Sequence, residues 1–181
     1  MKKAILITIT LLINGLLSAQ TFTLKSADVS GQASLKEVFN GFGCTGENIS
    51  PQLSWEHAPE GTQSFAITMY DPDAPTGSGW WHWLVFDLPK TTTSVSSNAG
   101  NPEMSLLPAG AIQSTTDYGT AGYGGPCPPE GHGLHEYMIT VYALKVPSLG
   151  LDATASPALV GYYLNANVIE KASIVFYYQR K

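Results

Sequence analysis

Charge is scarce in this chain. Asp, Glu, Lys and Arg make up 13% of its 181 residues, against 44% hydrophobic. That balance supplies a filled core and is the opposite of the charge-rich, hydrophobe-poor composition of a disordered chain. Basic residues are scarcest of all: from residue 20 onward seven Lys and Arg stand against fourteen Asp and Glu. The deficit excludes a surface built to neutralise nucleic-acid phosphates and one drawn electrostatically to an anionic membrane. Any anion bound here must be held by local geometry. Also lacking are an internal repeat, a low-complexity linker and an apolar run of the roughly 20 residues a membrane span needs. The length is one domain's worth.

One apolar stretch exists at the start. Lys2 and Lys3 precede a run from Ala4 to Leu17, followed by Ser18 and Ala19. A basic start, a short apolar run and a small residue before a polar one read as a secretory signal peptide over residues 1–19, cleaved after Ala19. Residue 20 is Gln rather than Cys, so lipid attachment at that point is not expected. The expected product is an exported domain, residues 20–181, periplasmic or secreted and without a membrane span.

The chain has two cysteines, Cys44 and Cys127. In an exported chain an even count makes a disulfide the default reading; the alternative is two separately buried thiols.

Beyond residue 20 the sequence reads as short extended segments separated by Gly, Pro, Asn and Asp clusters. Gln63–Tyr70, Trp81–Leu88 and Glu136–Leu144 are rich in aromatic and β-branched residues, with apolar side chains on both faces, as central strands require. Ser156 and Pro157 supply an N-cap and a first-turn proline. Leu159, Tyr162, Tyr163 and Ala166 then recur at helical spacing, predicting a helix that reaches toward Glu170. A last alternating run covers Ser173–Gln179. The expected fold is mostly β: an antiparallel sandwich with one late helix and few other helical turns.

Three motifs carry chemistry. In Tyr70-Asp71-Pro72-Asp73-Ala74-Pro75 two prolines fix the backbone around two carboxylates at a strand exit. In Gly79-Trp80-Trp81-His82-Trp83, alternation places Trp81 and Trp83 on one face and Trp80 and His82 on the other. His82 should return beside Asp71, where a carboxylate neighbour favours the imidazolium, a donor to anions. In Gly124–Tyr137 a Gly- and Pro-rich loop offers backbone N–H groups for an anion cradle, and His135 and Tyr137 share a strand face.

DPDAP, the WHW run, and GPCPP followed by HEY before a YAL strand resemble the phosphatidylethanolamine-binding protein family, in particular its bacterial Raf-kinase-inhibitor-like branch. The likeness extends through Phe39–Trp55, Thr116–Pro129 and the terminal helix and strand. It implies a β-sandwich with a shallow pocket for phosphate or a phosphoethanolamine headgroup. By position the pocket would use Asp71, Asp73, Pro75, His82, Pro129, His135 and Tyr137, with Trp80 as a wall and Gly125 and Cys127 on the rim. It further implies a Cys44–Cys127 bridge bracing that rim, and relatives that act as kinase or protease inhibitors or dimerise. Many relatives carry Arg where this chain has Glu136; alternation turns Glu136 away from the pocket, so the pocket should survive with one positive charge fewer.

The remaining histidines bear on a metal-binding reading. His57 reads as a surface residue, and His132 as exposed on a Gly-flanked loop. His132 and His135 make an H-x-x-H spacing that Asp71 or Asp73 would complete, but the spacing suits a helix and the segment runs from loop to strand. No metal and no cofactor is expected. The leading expectation is a binding protein, monomer or homodimer. The alternative is a phosphoester hydrolase using Asp71, His82 and His135 as acid–base groups, and it lacks an evident nucleophile.

Overall fold

The alternating segments around residues 64–71 and 135–144 become the two central strands of the molecule. The structure is a computed structural model that describes residues 20–181; the predicted signal peptide lies outside the described residues. In chain order the strands are β1 (Thr23–Lys25), β2 (Gly31–Gln32), β3 (Leu53–Glu56), β4 (Ser64–Asp71), β5 (Trp80–Pro89), β6 (Ser94–Val95), β7 (Ile112–Gln113), β8 (His135–Leu144) and β9 (Val168–Tyr178), with helix α1 (Pro157–Asn167) between β8 and β9. They form a three-stranded sheet ordered β1-β3-β6 and a six-stranded sheet ordered β2-β9-β8-β4-β5-β7. All pairs are antiparallel except β2 with β9, which is parallel. No helix among the described residues is long and apolar enough to cross a membrane.

The two faces of the large sheet bury separate cores, which is why its strands are apolar on both sides. Between the sheets, Phe65, Ile67, Met69, Trp83, Val85, Tyr137, Ile139 and Val141 pack against Leu24, Leu53 and Trp55. On the outer face Ala66, Leu84, Phe86 and Leu144 pack against Val160 and Leu164 of α1. The helix starts as predicted, with the Ser156 hydroxyl accepting from Leu159 N. It ends earlier than predicted, at Asn167, because Val168 already pairs with Leu144 as the first residue of β9. The side chains it buries are Val160 and Leu164, whereas Leu159 and Tyr162 of the expected stripe face solvent.

Two irregularities in β5 break the alternation read from the sequence. Phe65 faces Leu88 and Ile67 faces Val85, so Phe86 and Asp87 together oppose Ala66, with Asp87 at φ 58°. Nearer the strand start, Met69 faces Trp83 and Tyr70 faces Trp81, which leaves His82 as an extra residue without a partner on β4. A bulge of this kind re-aims the side chain it inserts. Trp81 therefore packs on the outer core and Trp83 on the inner one, contrary to the shared face expected of them. His82 points inward beside Tyr137, the ring centroids 5.2 Å apart and edge to face.

Candidate functional site

At one end of the sandwich the exit of β4, the start of β5 and the start of β8 surround a cavity of about 200 Å³. That is small beside the roughly 300–1,000 Å³ of clefts that hold drug-sized ligands. Its inner end is built from Asp71, His82, His135 and Tyr137, each 2% exposed or less. Pro75, Thr76, Trp80, Tyr118, Phe42, Cys127, Pro128 and Pro129 also line it.

Asp71 is held at both oxygens. One accepts from Asp73 N at 2.8 Å, the turn the two prolines impose, and the other accepts from His135 Nδ1 at 2.8 Å. An ionised carboxylate only accepts, so His135 carries a proton on Nδ1 and directs Nε2 away from Asp71. There Nε2 meets His132 Nδ1 at 2.7 Å.

His82 is fixed by Gly124 twice. Its backbone carbonyl accepts from Gly124 N at 2.9 Å, and its Nδ1–H donates to the Gly124 carbonyl at 2.7 Å. Burial lowers the His82 pKa from 6.5 to about 4, outweighing the opposite pull of the Gly124 carbonyl and of the Asp71 charge. His82 is therefore a neutral ring whose Nε2 is a lone-pair acceptor. This corrects the expectation of a charged donor at His82: the carboxylate is spent on His135, and burial dominates. Tyr137 is its complement, since burial and then the Asp71 charge push its phenol well above the usual range and keep it a donor.

Neither His82 Nε2 nor the Tyr137 hydroxyl has a hydrogen-bond partner, and both are buried. A buried polar atom without a partner costs about 1–3 kcal/mol. Among the described residues only five side-chain atoms are in that state, and two of them line this one cavity.

Eight of the ten residues expected at the site line the cavity together; Asp73 and Gly125 do not. Asp73 instead accepts from Glu136 N at 2.8 Å and so ties the turn to β8. Gly125 lies behind the wall, where a Cβ would sit 1.9 Å from the Glu37 carbonyl oxygen and 2.8 Å from Phe39 N. Because those contacts are backbone, Gly125→Ala should cost roughly 2–3 kcal/mol, the upper range for overpacking, read as a lower midpoint in urea unfolding. The loop N–H groups expected to form a cradle are partly engaged elsewhere. Gly124 N and Gly125 N are spent on the His82 carbonyl and the Asn48 side chain, and Pro126, Pro128 and Pro129 have none to give.

Two contributors, Tyr118 and Phe42, lie in segments the resemblance covers but were not among the expected site residues. Tyr118 donates to the Gly125 carbonyl at 2.8 Å while its ring lies 4.4 Å from Phe39 and edge-on to Trp80 at 5.5 Å. Phe42 is 69% exposed, and Arg180 donates to its carbonyl at the cavity mouth. The loop bearing Phe42 is joined to the Gly- and Pro-rich loop before β8 by the Cys44–Cys127 disulfide, which spans 83 residues. Among the described residues no group of three His, Cys, Asp or Glu is arranged to hold a metal ion.

The family model for phosphatidylethanolamine-binding protein matches residues 25–179. The chain belongs to that family. Among curated proteins it is 47% identical over 183 residues to the UPF0098 protein YbcL of Escherichia coli K12, covering all of both chains. It is 46% identical over 139 residues to YbhB of the same organism, covering 77% of this chain and 87% of that one. The crystal structure of E. coli YbcL superposes with a TM-score of 0.87 at 49% identity, covering 88% of this chain and 99% of that one. Over 105 residues the chain is 37% identical to a putative lipoprotein, LppC, of Mycobacterium tuberculosis, covering 58% of this chain and 48% of that one. The YbcL likeness spans the segments that build the cavity, and the family membership accounts for the sandwich around it.

Proposed function

We propose that this family member is an exported binding protein whose pocket takes a small phosphate-bearing ligand: phosphate, a phosphate monoester or a phosphoethanolamine headgroup. The observation that carries the reading is the pair of buried, unpartnered atoms in the cavity, an acceptor at His82 Nε2 and a donor at the Tyr137 hydroxyl. A singly protonated phosphoryl group satisfies both, its P–OH donating to His82 and a P–O⁻ accepting from Tyr137. An ammonium-bearing headgroup can supply the donor instead. Export is supported by the signal-like residues 2–19 and by a disulfide, which persists in oxidising compartments.

The test is an NMR or calorimetric titration of the mature protein with inorganic phosphate and with O-phosphoethanolamine. Tyr137→Phe removes only the hydroxyl and should weaken binding about 10- to 100-fold, the worth of a hydrogen bond to a charged group. Equal affinity of wild type and Tyr137→Phe would sink the reading. The acid–base pair Asp71–His135 keeps a hydrolytic role in view, although Cys127, the thiol on the cavity wall, is bonded to Cys44 and has no thiolate to attack with. Turnover of a phosphoester panel that His82→Ala abolishes would convert the binding groups into catalysts.

A further inference from the structure

His132 lies outside the cavity lining, and its loop has no place in the reading above. Yet it makes one of the shortest side-chain contacts of the site, Nδ1 to His135 Nε2 at 2.7 Å. The two rings differ in every other respect. His135 is 1% exposed and fixed by Asp71, whereas His132 is exposed and stands between Gly131 (φ 72°) and Gly133 (φ 97°). The loop backbone is held in place, with His132 N on the Pro129 carbonyl and Gly131 N on the Arg180 carbonyl. The His132 ring alone is left to turn about its own χ angles.

The proton count decides what this contact does. His135 Nδ1–H is committed to Asp71. If His135 is neutral, its Nε2 is a lone pair that accepts from His132 Nδ1–H. If it is an imidazolium, its Nε2–H donates to His132. In both states His132 occupies the nitrogen through which His135 would otherwise reach an anion. A phosphoryl group seated on His82 and Tyr137 would take a charge-assisted bond from His135 Nε2–H, and that bond is available only when His132 lets go.

We infer that His132 is an affinity-setting latch: it competes with the ligand for His135 Nε2, and ligand binding displaces it. The inference rests on the phosphate reading. It makes His132 a specificity-determining residue, because a ligand too poor in charge to outbid a neutral imidazole for Nε2 is left with only His82 and Tyr137.

Two substitutions separate the latch from a structural role. His132→Ala removes the competitor. His132→Asn keeps an amide N–H close to where Nδ1–H stood. Histidine 15N spectra of the ligand-free protein should show His135 Nε2 changing its hydrogen-bonded state in the Ala variant and retaining it in the Asn variant. In titrations with inorganic phosphate, His132→Ala should bind about three- to tenfold tighter than wild type, the worth of one displaced hydrogen bond, and His132→Asn should stay near wild type. Unchanged or weaker binding by His132→Ala, with wild type still binding, overturns the latch and leaves the phosphate reading intact. Absence of phosphate binding in all three proteins overturns both.

Discussion

Replacing Cys44 and Cys127 together by serine is expected to lower the free energy of unfolding by about 4–5 kcal/mol. The bridge spans 83 residues of chain, and in the loop-entropy account a crosslink of that span restricts the unfolded chain by about that much. Domains of this size unfold at about 5–15 kcal/mol, so the loss is about a quarter of the total or more. The effect should not stop at stability. Cys44 anchors the loop carrying Phe42, and both Phe42 and Cys127 line the cavity, so the double variant should bind phosphate more weakly at temperatures where it remains folded. Urea unfolding of the oxidised protein, the reduced protein and the double serine variant checks the first claim. Coincident midpoints for all three would show that packing alone holds the rim.

Acid should destabilise the fold through His82. The ring is buried and neutral, with a pKa lowered from 6.5 to about 4 by burial. Between those values the unfolded chain takes up a proton that the folded chain does not, so stability falls as the pH drops below 6.5. The contribution is fully present above pH 6.5, and the loss is complete at about pH 4, where it reaches about 3 kcal/mol at 1.36 kcal/mol per pH unit. Other groups titrate in the same range, so the measurement is a difference between two proteins. His82→Asn retains an amide N–H for the Gly124 carbonyl and cannot gain the proton. Chemical unfolding of both at pH 7.5 and 4.5 should show the larger acid loss in wild type. Parallel losses would mean that His82 is not kept neutral by burial.

How far the sequence discloses this molecule depends on which physical signal each part uses. β4 and β8 are legible because they are long, central and apolar on both faces, so burial writes them into the residue pattern. β2, β6 and β7 are two residues long and exist only because a longer neighbour presents an edge, a tertiary fact with no local signature. The end of α1 is hidden from the sequence for a related reason: Val168 would continue a helix, but pairing with Leu144 wins. In the site, residues fixed by proline or placed by regular alternation were legible, among them Asp71, Pro75, His135 and Tyr137. Those placed by long-range packing were not. Tyr118 and Phe42 reach the cavity through contacts with Phe39 and with each other, and although both lie in segments that resemble the family, spacing alone does not aim either ring at the site. His132 was legible as exposed, but its bond to His135 depends on side-chain direction rather than spacing.

The bulge in β5 has a consequence best put in genetic terms. On either side of His82 the strand pairs with consecutive residues of β4, Tyr70 with Trp81 and Met69 with Trp83. Removing codon 82 would leave those same partners in an uninterrupted ladder, with Trp81 and Trp83 still on the faces they now occupy. The reading frame of the sheet would not notice the loss. The cavity would lose its one unpartnered acceptor, so the sheet can shed this inserted residue while the site cannot.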